Sequence, residues 1–522
     1  MVTSPAVSGE ESSDHGLRTT GRDLTEYESH RTLDMMFRAR AGQALAYLDS
    51  LKPVSGDQPL FLLTRARVHR EFLPVDDEKK DVVKQMSAPL FRDLDRTIEV
   101  CTQRIEAGDE DPKLYLYRGW AWMFKSHVHT FQRSFWSAGR EAKKGKSDLE
   151  RYLRNKPSDP IANSIMGAFL YFADTLPKAY KFVSKLLFLP SGDRERGLEM
   201  MELAVGWDSL IETDNRLILY SVYIGFEGRF EEGVEGFESL IERHPMHATF
   251  RRPSGVMLAL KPRFSQSQRQ SIDAAIEQLG TVAPGDSERS TFSLLQLMGA
   301  HSDRFYNPNR ASSGFQALID ASPEHPDWVP GFSAFELGRL RAAQGEWKEA
   351  ERLFLHVIND PRAEYLHDES RDMIKELESH GDATLPGAGL IQSIYENGDD
   401  ALHKLEAIDD PSAAEWFYLG EARLAAGDDV GALAAYESAL EIDAPRWDEA
   451  IQMIAASRAG ELTGASGRYD DAGRLFKRAR EYWHKEFLYD WLLEGRARYF
   501  ERLGKGKEVP PVRWFAASQA AR

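Results

Sequence analysis

Four segments of this 522-residue chain repeat one arrangement of glycine, alanine and aromatic residues. In the clearest segment, GDDVGALAAYESALEIDAP, Gly427 and Asp428 precede two small residues, Ala432 and Ala439, with Tyr436 between them. Small residues at a helix contact let another helix come close, and an aromatic ring fills the space beside it. The spacing therefore predicts a docking rule: adjacent helices contact each other at the small residues, and the aromatic ring fills the space beside that contact.

The other three segments carry the turn glycine, the small residue and the aromatic residue at the same offsets. They are Gly345, Ala350 and Phe354; Gly467, Ala472 and Phe476; and Gly228, Gly233 and Phe237. Unrelated amphipathic helices would have to place four glycine turns in the same register by coincidence. The pattern therefore predicts antiparallel helical hairpins that stack on one another.

The sequence around the clearest segment resembles the tetratricopeptide repeat (TPR), which reads W-x2-L-G, a turn, then Ala, an aromatic residue, Ala and Pro over about 34 residues. Trp416, Leu419 and Gly420 supply the first part of the pattern, and Pro445 stands one residue late. The resemblance implies an all-α fold, a right-handed superhelix (α-solenoid) of TPR-like helical hairpins. It also implies a concave groove lined by the first helix of each hairpin.

The chain is longer than the roughly 250 to 300 residues at which one compact core stops growing, so it forms several domains or an elongated array. Apolar residues recur at helical spacing from about Thr25 onward. The small residue of the repeat moves from position 233 to 350, 432 and 472, so longer helices and degenerate copies must lie between the clear copies. We predict a disordered polar tail over residues 1–24, an N-terminal helical-repeat half with long helices over 25–262, and a C-terminal TPR-like half over 263–522.

A second resemblance covers SIMGAFLYFADTLPKAYKFVSKLLFLPSGDRERGLEMMELA, Ser164 to Ala204. This stretch resembles a region of the tetratricopeptide repeat 39 and Iml2-like family, in which a Gly-rich apolar helix, a Leu-Pro bend, a Leu-rich helix, a Gly-Asp turn and a Gly-Leu helix follow one another. The matching residues are Gly167, Leu176, Pro177, Leu186, Leu187, Gly192, Asp193, Gly197 and Leu198. The resemblance implies a lipid-linked role for the chain.

The chain carries 83 acidic and 66 basic side chains, a formal net charge of -17. This balance disfavours a general nucleic-acid binder, which needs a dominant basic surface. The single cysteine, Cys101, excludes intrachain disulfides and Cys-based zinc fingers, and it fits a reducing compartment. No apolar run reaches about 18 residues, and the first residues lack the apolar stretch of a signal peptide. We therefore expect a cytoplasmic protein with no transmembrane segment; a secreted protein whose signal has already been removed is the open alternative.

Motifs for catalysis or cofactor binding are matched only imperfectly. The stretch GREAKKGKS, which begins at Gly139, has five residues before its next glycine where a phosphate-binding loop has four. Pro245 separates His244 from His247 and removes the helical register that would aim both rings at one metal ion. We therefore expect no catalytic residue, no cofactor and no metal, and we do not expect an enzyme.

Residues 133–156 hold eight basic side chains against three acidic ones, although the chain as a whole is acidic. A patch of this kind can hold an acidic peptide or a phosphate group. An ordinary solvated helix face is the alternative interpretation. The candidate partner-binding residues of the patch are Arg140, Lys143, Lys144, Lys146 and Arg151.

The stretch PKAYKFVSKLLFLP, Pro177 to Pro190, predicts a basic amphipathic helix. Such a helix can lie on a membrane or receive a lipid. Alternatively, it packs inside its own solenoid against the apolar stretch IMGAFLYFA that precedes it. The candidate lipid or membrane contacts are Lys178, Lys181, Phe182, Lys185 and Leu186.

Aromatic and arginine side chains of the first helices are further candidates for partner contacts, because an exposed ring or guanidinium in the groove is a typical binding anchor. These candidates are Trp120, Trp122, Arg339, Arg341 and Arg423. The leading hypothesis is a non-enzymatic TPR scaffold or adaptor that binds a partner protein or peptide in its concave groove. Two alternatives stay open: a lipid- or membrane-surface adaptor of the Iml2-like type, and an unrecognised enzyme with a cavity between the repeat halves.

Overall fold

The computed structural model describes fourteen stretches of the chain: 24–38, 40–73, 84–132, 134–175, 192–207, 209–247, 249–253, 255, 261, 266–279, 289–321, 328–380, 401–482 and 487–507. Across these residues the secondary structure is helical and no strand occurs. The all-α prediction is therefore confirmed. The predicted polar tail lies outside the described residues except for Leu24, which begins the first helix.

Helices of the N-terminal half pair in chain order. They are α1 (Leu24–Phe37), α2 (Ala41–Ser55), α3 (Pro59–Arg70), α4 (Ala88–Glu106), α5 (Lys113–Phe131), α6 (Phe135–Asn155), α7 (Pro160–Thr175), α8 (Arg194–Val205), α9 (Glu212–Val222) and α10 (Phe230–Arg243). A π-helical turn, Tyr223–Glu227, follows α9 directly. The pairs α5/α6, α7/α8 and α9/α10 each pack as a hairpin.

Helices of the C-terminal half continue the same arrangement. They are α11 (Gln266–Leu279), α12 (Arg289–Asp303), α13 (Pro308–Asp320), α14 (Val329–Ala343), α15 (Trp347–Asn359), α16 (His367–His380), α17 (Ala401–Glu406), α18 (Ala413–Ala426), α19 (Asp429–Glu441), α20 (Glu449–Ala465), α21 (Tyr469–Glu481) and α22 (Phe487–Gly504). Short 3-10 turns, Pro361–Leu366 and Arg446–Asp448, precede α16 and α20. The hairpins α12/α13, α14/α15, α18/α19 and α20/α21 pack side by side.

The docking rule predicted from the repeat is confirmed in the α18/α19 hairpin. Gly427 ends α18 with a φ of 82°, a left-handed conformation that glycine adopts without strain. A methyl group on Gly420 would lie 2.5 Å from the ring of Tyr436, so only glycine lets the two helices come this close. Ala432 and Tyr436 are both fully buried. Local sequence thus sets the hairpin turn and the helix contact together.

The same glycine–ring contact recurs at the same spacing in two further hairpins. A methyl group on Gly338 would lie 2.8 Å from the ring of Phe354, and one on Gly460 would lie 2.7 Å from the ring of Phe476. In each hairpin the glycine lies on the first helix and the ring on the second. This shared packing identifies the hairpins as TPR-like.

The C-terminal helix α22 packs back against the π-helical turn of the N-terminal half. Arg496 donates a hydrogen bond to the carbonyl oxygen of Gly228 at 2.7 Å, and Arg502 donates one to the carbonyl oxygen of Glu227 at 2.7 Å. The two predicted halves are therefore in direct contact. The boundary between them at residue 262 stays a prediction.

None of the helices in the described ranges combines the length and the apolar character that a membrane span requires.

Candidate partner-binding surface

The first helices of the C-terminal half surround a segment of their own chain, which we call the hub segment (residues 301–306). All six of its residues are buried. Tyr306 donates its hydroxyl hydrogen to Glu421 on α18 at 2.8 Å, and Tyr418, also on α18, donates to the carbonyl oxygen of Phe305 at 2.6 Å. The inner face of these first helices is thus occupied by protein rather than open to a partner.

Buried ion pairs hold the hub segment against α14. Arg304 pairs with Glu336 and also donates to the carbonyl oxygen of Trp447 at 2.9 Å, while Arg339 pairs with Glu336 at 3.0 Å. Burial opposes ionisation of Glu336, yet the two guanidinium groups outweigh burial and hold the Glu336 pKa well below its usual range. Arg339 is only 4% exposed, so the prediction that it is an exposed groove contact is wrong. A first-helix arginine looks like a surface residue in sequence, but here it neutralises a buried glutamate.

Two more buried pairs extend this network to α20 and α22. Arg458 contacts Glu421 at 2.5 Å between Nε and Oε1, and Arg496 contacts Glu461 at 2.6 Å between Nη2 and Oε2. All four side chains are buried. Because removing one partner of such a pair leaves a buried charge uncompensated, these pairs fix the relative positions of the first helices.

A small cleft opens beside the hub segment. Its wall includes Arg304, Tyr418, Trp447 and Asp448, and its volume is about 30 Å³. This space suits one or two water molecules rather than a substrate. Burial raises the pKa of Asp448 to about 6, although Arg304 and Arg339 oppose the shift. The cleft therefore brings ionisable groups together without giving the enzyme hypothesis a substrate-sized site.

The basic patch predicted from the sequence lies on α6, which packs very closely against α5. A methyl group on Gly145 would lie 2.8 Å from Met123, and one on Gly119 would lie 2.9 Å from Leu149. Gly145 of the stretch GREAKKGKS thus lies inside a helix and makes a helix contact; the stretch does not form a phosphate-binding loop. Close packing makes α6 a rigid support for the side chains that it carries.

The buried acidic side chains of α6 lie against basic side chains of α5. Asp148 is bonded by Arg118 through two hydrogen bonds of 2.7 and 2.8 Å. Glu141 lies 3.6 Å from Lys125 and 3.2 Å from His129. These carboxylates therefore do nothing to balance the cations on the opposite face of the helix.

The outer face of α6 carries exposed cations, which we call the basic ridge. Its residues are Arg140, Lys143, Lys144, Arg151 and Arg154. Within the part of the chain that the structure describes, none of the five forms an ion pair with a carboxylate. Lys146, the other candidate on this helix, is half-buried and lies 3.6 Å from Glu150. The structure thus brings four of the five candidate residues onto one exposed face, together with Arg154 of the same basic stretch.

Aromatic rings of α5 hold two cations of the basic ridge in place. The Nζ atom of Lys144 lies 4.1 Å from the ring centroid of Trp122, and the guanidinium carbon of Arg151 lies 4.3 Å from that of Tyr115. The sequence predicts Trp122 as an exposed contact in the groove, but the residue is half-buried and supports a ridge cation; a role in partner binding stays a prediction. Trp120 is only 9% exposed and belongs to the hydrophobic core, so its predicted exposure is wrong.

Two exposed aromatic residues at the start of α6 were missed by the sequence reasoning. Trp136 is 57% exposed and Phe135 is 48% exposed. Helical spacing places Trp136 on the same face as Arg140 and Arg154. The signal was present in the sequence, because an aromatic pair directly precedes the basic helix.

The remaining predicted contacts do not join the basic ridge. Arg341 lies 3.2 Å from Glu346, and Arg423 donates to the carbonyl oxygen of Gly431 at 3.3 Å. Each arginine thus braces the turn of its own hairpin, and a role in partner binding stays a prediction for both. The lipid candidates Lys178, Lys181, Phe182, Lys185 and Leu186 lie outside the described residues.

The side chains of Cys101, His244 and His247 pack in the interior of the described structure. Cys101 is buried, and burial raises its pKa to about 12, so the thiol stays protonated. His244 and His247 pack on Phe37, with ring centroids 5.2 and 5.7 Å away. No group of His, Cys, Asp and Glu within the described ranges has the arrangement of a metal site.

Comparisons with known proteins include distant matches among solved structures. No family model matches the sequence. No curated protein matches it either. Among solved structures, an IFIT1 monomeric mutant with Gppp-AAAA is 15% identical, covers 80% of this chain and 95% of its own, and has a TM-score of 0.31.

Two other solved structures match over most of their length. The crystal structure of yeast Tom70 is 15% identical, covers 96% of this chain and 100% of its own, and has a TM-score of 0.21. A human IFIT1 dimer with PPP-AAAA is 12% identical, covers 89% of this chain and 95% of its own, and has a TM-score of 0.20. Because these TM-scores lie below 0.5, the TPR-like fold of this chain rests on the hairpin packing described above.

Proposed function

We propose that this protein is a non-enzymatic TPR-like scaffold that binds a partner protein through the outer face of α6. One observation carries the proposal: five cations on one helix face have no ion-pair partner among the described residues, in a chain of net charge -17. Surface cations in folded proteins are usually balanced by nearby carboxylates, as Lys146 is by Glu150. An uncompensated row attracts an acidic partner and speeds its encounter.

The hub segment favours this outer surface over the concave groove predicted from the repeat. In the C-terminal half, the first helices bury residues 301–306 where a groove ligand would lie. α6 is the second helix of the α5/α6 hairpin, so we expect its exposed face to lie outside a groove that first helices line. Binding there leaves the buried ion pairs intact.

The proposal is tested by affinity capture from the native cell. The test variant reverses three ridge charges, Arg140→Glu, Lys143→Glu and Lys144→Glu. A control variant makes the same change in net charge at exposed cations scattered over the rest of the surface, namely Arg92→Glu, Lys348→Glu and Lys505→Glu. We expect the ridge variant to lose partners that the wild type and the control variant both retain. If all three proteins recover the same partners, the ridge is an ordinary solvated surface and not a binding site.

A lipid-linked role of the Iml2-like type is the second candidate. Two residues of that resemblance, Gly167 and Gly197, face each other between α7 and α8, where a methyl group on Gly167 would lie 2.7 Å from the carbonyl oxygen of Gly197. This contact accounts for both glycines by packing. A lipid-linked role then depends on Pro177–Pro190. Liposome flotation tests this role, and it is disproved if the wild-type protein stays in the soluble fraction.

A further inference from the structure

The shape of the basic ridge narrows the class of partner that it fits. Arg140 and Arg154 are fourteen residues apart within α6, which corresponds to about 21 Å along the helix axis. The cations point outward along a row and do not converge on one point. A single phosphate group would reach only neighbouring members of the row, so a ligand that engages the whole ridge must be elongated and carry several negative charges.

Acidic side chains on the two hairpins that follow α6 in the chain disfavour the largest polyanions. The next hairpin exposes Glu195 and Glu199 on α8, and α10 exposes Glu235, Glu238 and Glu242. A membrane surface or a nucleic-acid backbone that extends over these hairpins as well would be repelled by their carboxylates. A single peptide segment that runs along α6 avoids them.

The aromatic pair at the start of α6 supplies an apolar contact at one end of the row. Phe135 and Trp136 expose about half of their surface, and Trp136 shares the ridge face. Exposed aromatic residues beside charges are typical anchors in protein interfaces. Trp122 and Tyr115 also hold Lys144 and Arg151 in position, which lowers the side-chain entropy lost on binding.

We propose that the basic ridge and Trp136 bind an acidic peptide segment of a partner protein, with an apolar residue on Trp136 and carboxylates along the cations. This inference rests on the proposed function and specifies its partner. From Trp136 to Arg154 the surface spans about 27 Å, which an extended segment covers with about eight residues. The carboxylates give the five ridge cations the ion-pair partners that they do not have among the described residues.

Fluorescence anisotropy with the full chain tests this inference. The probe is a labelled peptide with a Leu-Phe pair followed by about eight residues, mostly Glu. We expect Arg140→Glu/Lys143→Glu/Lys144→Glu to weaken binding by at least about 30-fold, and Trp136→Ala to weaken it by about 5-fold or more. The scattered control variant, Arg92→Glu/Lys348→Glu/Lys505→Glu, is expected to bind within about 2-fold of the wild type.

Competing polyanions distinguish the inference from its alternatives. Binding of the same variants to phosphatidylserine vesicles and, separately, to single-stranded poly(U) is measured. Circular dichroism confirms that each variant is folded. Ridge-dependent binding of the peptide alone supports the inference. It is overturned if the wild type ignores the peptide, if the ridge variant binds the peptide equally well, or if vesicles or poly(U) bind through the ridge more tightly. Partner capture that still depends on the ridge would then leave the proposed function standing.

Discussion

A methyl group at Gly420 should destabilise the fold, because the residue lies where α18 and α19 are closest. The added carbon would lie 2.5 and 2.6 Å from two ring atoms of Tyr436, which is well inside van der Waals contact. The ring has no free direction in which to move, because it is fully buried and its hydroxyl donates to Glu421 at 2.7 Å. Glu421 in turn is held by Arg458.

Three terms set the size of the effect of Gly420→Ala. Overpacking in a close-packed core costs about 1 to 3 kcal/mol. Displacement of the ring weakens the hydrogen bond from Tyr436 to a charged acceptor, which contributes about 1.5 to 3 kcal/mol. Alanine is favoured over glycine in a helix by about 1 kcal/mol and offsets part of this loss. We therefore expect a net loss of about 2 to 4 kcal/mol in the free energy of unfolding.

Urea unfolding followed by far-UV circular dichroism measures this loss, and Gly473→Ala is the matched control. Gly473 also lies inside a helix, but a methyl group there would have its closest neighbours at 3.6 Å. The control is expected to be neutral or to stabilise by up to about 1 kcal/mol. In a Tyr436→Leu background, Gly420→Ala should cost less than about 1 kcal/mol, because the ring is gone. A Gly420→Ala protein as stable as the wild type would refute the docking rule.

Two further predictions concern a buried ion pair and a buried histidine. Arg458→Met should lower the free energy of unfolding by about 3 to 5 kcal/mol, because it leaves Glu421 buried without its cation. Adding Glu421→Gln should recover a large part of this loss, as measured by thermal unfolding. If it recovers nothing, the broken ion pair is not the cause of the loss. Burial lowers the pKa of His247 to about 4, below the ordinary value near 6.5, so the native state binds fewer protons than the unfolded chain and stability falls as the pH drops from 6.5 toward 4. Between pH 7 and pH 4.5 the wild type should therefore lose about 2.5 kcal/mol more than His247→Gln, and equal losses would contradict the assignment.

Short-range features of this fold could be predicted from the sequence, because they depend on residues a few positions apart. The turn at Gly427 and the ring of Tyr436 are fixed by local backbone preference and by helix periodicity. The exposed face of α6 follows from the same periodicity, which aligns Arg140, Lys144 and Arg151. The same periodicity places Trp136 on that face, so its position could also be predicted from the sequence.

Long-range features could not be predicted, because they depend on which helices meet. Nothing near Arg339 in the sequence indicates that Arg304 comes to the same glutamate from another hairpin. Similarly, Trp120 and Trp122 differ by only two positions, yet one faces the core and the other carries a lysine on its ring. Neutralisation of Asp148 by Arg118 from α5 had to be seen in the structure before the ridge could be recognised as uncompensated.

The contacts of the hub segment and of α22 change how this chain can be divided. An ordinary solenoid can be shortened or lengthened by one hairpin at a time, because each repeat touches only its neighbours. Here Arg304 reaches the backbone of Trp447, 143 residues away in sequence, and Arg496 reaches that of Gly228, 268 residues away. A truncation before Phe487 would remove the donor to Gly228 and expose the π-helical turn that α22 covers. The array has therefore lost the modularity of its repeats and is expected to unfold as a single cooperative unit.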